Sequence, residues 1–174
     1  MSFSSTVNRK GRGTQGIPNC GFHGAQFFHC PGGCLEKPDR RVYCLDGDGA
    51  FIMHMGAVSN IGDLSPKNYR HVLFNNGAHE SVGGQPTLGF RLDIASIAKG
   101  CGYAHVLTAS DKEGLSCALE KLSGLSGPVL LEIKVRIDSR DDLGRPTTTP
   151  VENKEHFMAF LKDTAFMNIE RKIL

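Results

Sequence analysis

Arg41 to Asn60 reads RVYCLDGDGAFIMHMGAVSN. Val42 to Leu45 make a short apolar run, as a strand buried on both faces should. From Ala50 the apolar residues follow helical spacing. Between the two lie Asp46 and Asp48, separated by Gly47 and followed by Gly49. Two carboxylates on one tight turn repel each other, and burying an unpaired charge is expensive. A strand that ends in glycines and opens onto a helix offers an anion free N–H groups and the positive end of the helix dipole. Gly47 and Gly49 allow close approach because neither carries a Cβ. A carboxylate repels a bare phosphate but suits one that arrives with a divalent cation. Mg²⁺ combines one or two protein oxygens with phosphate and water, which makes Asp48 a candidate magnesium ligand.

Outward from this turn, strands and helices alternate. YRHVLFNN (69–76) reads as a second buried strand closed by Gly77, and AHESVGGQPTLGF (78–90) as a loop whose length and place suggest function. A single helix is predicted from Ala50 to about Ile61, and another over LDIASIAKGCG, with Asp93 as N-cap and Gly100 as stop. YAHVLTA and GPVLLEIKVRI read as strands, SDKEGLSCALEKLSGL as a helix capped by Ser110 or Asp111, and VENKEHFMAFLKDTAFM as a final amphipathic helix. The expected fold is α/β, a mostly parallel sheet flanked by helices. Such sheets bind ligands at the carboxyl ends of their strands, where segments 46–49 and 75–84 both emerge. The second segment adds neutral oxygens, the amides of Asn75 and Asn76 and nearby carbonyls.

The 174 residues suit one domain with a proper core. A hydrophobic share of 40%, a charged share of 22% and a net charge of +2 give no reason to expect nucleic acid or a membrane surface as partner. No apolar run approaches the roughly 18 residues of a membrane span. Residues 1–36 are expected to be an irregular or disordered N-terminal segment, with the domain occupying 37–174. The absence of acidic residues before Glu36 gives the arm a faint likeness to a transit peptide. A reducing, cytoplasmic compartment is the main expectation, since the cysteines form no evenly spaced framework. Cys44, Cys101 and Cys117 read as small hydrophobes. Cys20, Cys30 and Cys34 cluster with His23 and His29, which leaves a structural zinc as a rival reading.

Gly47-Asp48-Gly49, followed by residues 50–74 and then Asn75-Asn76, resembles the fingerprint of thiamine-diphosphate enzymes. KPDRRVYCLDGDGAFIMHMGAVSNIG, HVLFNNGAHESVGGQPT and SRDDLGRPTTTPVENKEHFMAFL together resemble phosphonopyruvate decarboxylases, in the group that also holds sulfopyruvate decarboxylases. The likeness runs from about Lys37 to Asp163 and covers only the C-terminal, diphosphate-binding domain of those enzymes. It implies a thiamin diphosphate-binding fold and the cofactors thiamine diphosphate and Mg²⁺. It implies that Asp48 and Asn76 bind the metal by their side chains and Ala78 by its carbonyl. Gly49 and Ala50 would then offer N–H groups to the diphosphate after Gly47, with His79 and Glu80 facing the thiazolium or substrate. Arg140 and Arg145 would suit a phosphonate dianion, although salt bridges to Asp141 or Asp142 serve as well. The implied reaction converts phosphonopyruvate, a 3-phosphono-2-oxo acid, to phosphonoacetaldehyde and CO₂. His54, His71 and His105 read as structural.

Two departures qualify the resemblance. The family's activating glutamate sits on a separate pyrimidine-binding domain, for which this chain has no room. The chain would therefore be a fragment, a β-type subunit needing a partner in a homo- or hetero-oligomer, or a non-catalytic cofactor-binding domain. Upstream of Lys37 the family carries a smooth Ala-rich helix, whereas Pro31, Gly32 and Gly33 here predict a break.

Overall fold

A computed structural model describes residues 26–138 and 147–162. Its centre is a four-stranded, all-parallel sheet of β1 (Val42–Gly47), β2 (Tyr69–Asn75), β5 (His105–Ala109) and β6 (Val129–Lys134), in the order β1-β2-β6-β5. Six of the seven β2 residues are buried, the pattern of an interior strand covered on both faces. The helices around the sheet are α1 (Gln26–Glu36), α2 (Asp48–Met53), α3 (Gly56–Leu64), α4 (Ile94–Gly100) and α5 (Lys112–Gly124). Phe51, Val58, Ile61, Tyr69, Leu73, Ile94 and Leu130 pack in one core cluster. Val72, Ala118, Leu122, Val129 and Leu131 form a second, so alternate β2 residues serve opposite faces. This is the α/β architecture expected from the sequence. Among the described residues no helix is long and apolar enough to cross a membrane.

Local chemistry fixes the ends of the elements. The Asp93 carboxylate accepts from Ser96 N–H at the start of α4. Asp111, of the two candidates, caps α5 by accepting from Gly114 N–H. Helix α6 (Pro150–Lys162) belongs to a separate unit. It starts with a capping box, in which Thr149 N–H donates to Glu152 Oε2 at 2.7 Å and Glu152 N–H to Thr149 Oγ1 at 3.3 Å.

Three expectations change. The helix predicted from Ala50 to Ile61 is two helices that meet at His54 and Met55, beside Gly56, a residue that weakens a helix interior by about 1 kcal/mol. The loop 78–90 contains a small antiparallel hairpin, β3 (Ala78–His79) with β4 (Gln85–Pro86), around a 3-10 turn at Glu80–Val82. Gly83 and Gly84 take the positive φ values its return demands.

The third correction concerns residues 26–36, which form a helix despite Pro31, Gly32 and Gly33. Tertiary contacts outweigh propensity there. Cys34 is 2% exposed within the core, and the Asn68 side-chain amide donates to the carbonyls of Cys34, Lys37 and Arg40. Helix α1, upstream of Lys37, thus packs on the same core as the sheet. Residues 1–25, the remainder of the expected irregular segment, lie outside the described residues, as do Arg140 and Arg145.

Candidate functional site

The two carboxylates of the opening turn face different surroundings. Asp46 Oδ1 accepts from Gly47 N–H at 2.9 Å. Its Oδ2 lies 3.4 Å from His71 Nε2, and His71 Nδ1 is 3.0 Å from the Tyr103 hydroxyl. Asp46 is therefore satisfied inside the core, and His71 is the structural partner that makes its burial tolerable. Asp48, the first residue of α2, is 1% exposed. The Thr87 hydroxyl donates to its Oδ2. Among the described residues no cationic side chain pairs with Asp48, whereas Asp46 has His71. A buried carboxylate with one neutral donor is an electrostatic deficit that a divalent cation would remove.

The second loop is built from the end of β2. Asn75 is fully buried, and its Nδ2 donates to Gly89 O and to Glu132 Oε1, both at 2.8 Å. Its Oδ1 accepts from Gly77 N–H at 3.2 Å. Asn76 Oδ1 accepts from Ala78 N–H at 3.1 Å, while its Nδ2 donates to Glu80 Oε2 at 2.8 Å. Gly77, at φ +70°, turns the chain where a Cβ would press on the Phe90 ring. The carbonyls of Gly77 and His79 accept from Thr87 and Gly84 N–H. Strand alternation turns the Ala78 carbonyl the other way, free of that hairpin.

The two loops meet at two glycines. A Cβ on Gly89 would collide with both Asn75 Oδ1 and Asp48 Oδ2. A Cβ on Gly49 would collide with the His79 imidazole. The N–H groups of Asp48, Gly49 and Ala50 open a helix and so lack intrahelical acceptors. Asp48, Asn76 Oδ1 and the Ala78 carbonyl are oxygen acceptors of the kind a divalent cation takes. The residues present fit Mg²⁺ with a diphosphate.

Thr87, Gly89 and Glu132 are absent from the sequence-derived site. Glu132 had a signal, a lone carboxylate inside the apolar run VLLEIK, all buried but its last residue. Thr87 had none, because its role depends on a loop folding back, twelve residues past the end of β2. His79 packs beside Gly49, and the Glu80 carboxylate accepts from the Asn76 amide. Of the zinc rival, Cys20, His23 and the His29 side chain lie outside the described residues. Among those described, no group of three His, Cys, Asp or Glu could hold a metal.

A parallel sheet with an acidic glycine turn on one strand and an Asn-Asn turn on the next is the architecture of a thiamine-diphosphate-binding domain. Residues 3–133 match the family described as Thiamine pyrophosphate enzyme, C-terminal TPP binding domain, and the chain belongs to that family. The match begins well ahead of Lys37, where the sequence had placed the start of the likeness. Phosphonopyruvate decarboxylase of Streptomyces viridochromogenes is 38% identical over 130 residues, 75% of this chain and 32% of that protein. Sulfopyruvate decarboxylase subunit beta of Methanocaldococcus jannaschii is 42% identical over 74 residues, 42% of this chain and 39% of that subunit. The corresponding subunit of Methanococcus maripaludis is 28% identical over 130 residues, 75% of this chain and 69% of that subunit. The chain spans about a third of the length of the phosphonopyruvate decarboxylases it matches.

Proposed function

We propose that this chain is the diphosphate- and Mg²⁺-binding half of a thiamine-diphosphate-dependent decarboxylase acting on a 3-phosphono-2-oxo acid, phosphonopyruvate. The observation that carries the site is Asp48, buried with a hydroxyl for company and no cation among the described residues. The substrate class rests on the 38% identity to a phosphonopyruvate decarboxylase.

In this reading Asp48, Asn76 Oδ1 and the Ala78 carbonyl hold the cation. The N–H groups of Gly49 and Ala50 bind the diphosphate after Gly47 turns the strand. Bound thiamine diphosphate supplies the electron sink for loss of CO₂. His79, fixed against Gly49, lines the cofactor's flank. Glu80 engages the Asn76 nitrogen, so the oxygen, which also accepts from Ala78 N–H, is the atom of that amide that meets the metal. A pyrimidine-binding domain or subunit completes the site in a homo- or hetero-oligomer, in the cytoplasm, with neither nucleic acid nor membrane as partner. The coverage of a methanogen subunit beta, 69% of its length, favours a second reading as a β-type subunit of a sulfopyruvate decarboxylase.

The test is CO₂ release from phosphonopyruvate and from sulfopyruvate, with the chain, thiamine diphosphate, Mg²⁺ and a pyrimidine-domain partner. Turnover of phosphonopyruvate is expected. Faster turnover of sulfopyruvate selects the second reading. Background rates on both leave a non-catalytic binding domain.

A further inference from the structure

We infer that Glu132 is a positioning residue for the metal loop, acting through Asn75. This role rests on the Mg²⁺ site proposed at Asp48 and Asn76. Glu132 sits in the middle of β6, in register with Leu73 and Thr108, and is 5% exposed. A carboxylate in a strand interior is expensive to bury, and its described partner is the Asn75 amide at 2.8 Å. Asn75 spends its second N–H on Gly89 O and its oxygen on Gly77 N–H. Gly89 N–H in turn donates to Thr87 Oγ1 at 3.0 Å, and that hydroxyl donates to Asp48. Glu132 thus anchors one continuous hydrogen-bond path that ends on the carboxylate proposed to bind the metal. It also sets which way the Asn75 amide faces. With the acceptor removed, Asn75 can rotate, freeing both the Gly77 turn that leads to Asn76 and Ala78 and the Gly89 carbonyl.

Charge and contact can be separated. Glu132→Gln keeps the reach and an acceptor oxygen but removes the charge. Glu132→Asp keeps the charge and withdraws it by one methylene. Cation-dependent affinity for thiamine diphosphate is measured calorimetrically on the full chain, with thermal unfolding in parallel. Removing outer partners of metal ligands lowers affinity about 10–100-fold, and Glu132 stands one step further out behind Asn75, so Glu132→Asp and Glu132→Leu are expected to lose about tenfold, the low end, and Gln less than about threefold. In an Asn75→Leu background, Glu132→Leu should add nothing, since the path is already cut. A Gln variant as damaged as Leu, a harmless Asp variant, or additive losses in the double variant overturns the inference. The Gln and Asp variants decide the matter even where Leu fails to fold. Asp48→Ala is the control. Loss of cation dependence there with unaltered Glu132 variants overturns this role alone, whereas intact cation dependence overturns the metal site and this role together.

Discussion

The Thr87 hydroxyl donates to Asp48 Oδ2, joining the loop after β4 to the first residue of α2. It is the described hydrogen bond of a carboxylate that has almost no access to water. Without a cation, Asp48 is held by this contact and is a net burden on stability. Thr87→Val, which keeps the shape and deletes the donor, should destabilise the cation-free chain by about 1–3 kcal/mol. Chemical denaturation in a chelator measures it, and saturating Mg²⁺ with thiamine diphosphate should recover part of the loss.

Asp48→Asn should behave in the opposite sense. It removes the uncompensated buried charge, so the cation-free chain should be as stable as the wild type or more so. The rise in melting temperature on adding Mg²⁺ and thiamine diphosphate should disappear. Differential scanning calorimetry with and without the pair reads both effects.

Gly49→Ala tests the close approach of the two loops. The added methyl would strike the His79 ring, and overpacking of this kind costs about 1–3 kcal/mol. In a His79→Ala background the same substitution should be nearly neutral for stability. Equal losses in both backgrounds, measured by denaturation, would show that the ring is not what the methyl meets.

Alkaline pH should loosen the α1 side of the core. Burial, with Cys44 adding to it, pushes the Cys34 thiol from the ordinary value of 9.0 up to about 12. The Cys44 thiol is also raised, chiefly by its hydrogen bond with Cys30 and then by burial. A folded-state pKa above the unfolded one means the neutral thiol is favoured by folding. Its contribution is complete below pH 9.0 and is lost as the pH rises toward about 12. Stability should therefore fall across that window, and Cys34→Ala should flatten the slope.

Much of this architecture is legible from residues 41–60 and 69–77, because a buried strand read against a glycine turn has few alternatives. The α/β class, the parallel sheet and the adjacency of the two loops follow from strand and helix alternation. Asp48 could be given its duty from the sequence, but His71 could not be named as the Asp46 partner, since the pair spans two strands. Helix α1 was hidden because Pro31 and two glycines argue locally against it, while Asn68 and the burial of Cys34 act from outside the segment. Thr87 and Glu132 belong to a hydrogen-bond path that only the folded chain assembles.

The most direct measurement is a calorimetric titration of the chain with thiamine diphosphate, in Mg²⁺ and again in a chelator, for wild type and Asp48→Ala. Binding is expected to need the divalent cation and to be abolished by Asp48→Ala. Binding of equal strength in the chelator, or unchanged in Asp48→Ala, would contradict the proposed cation site.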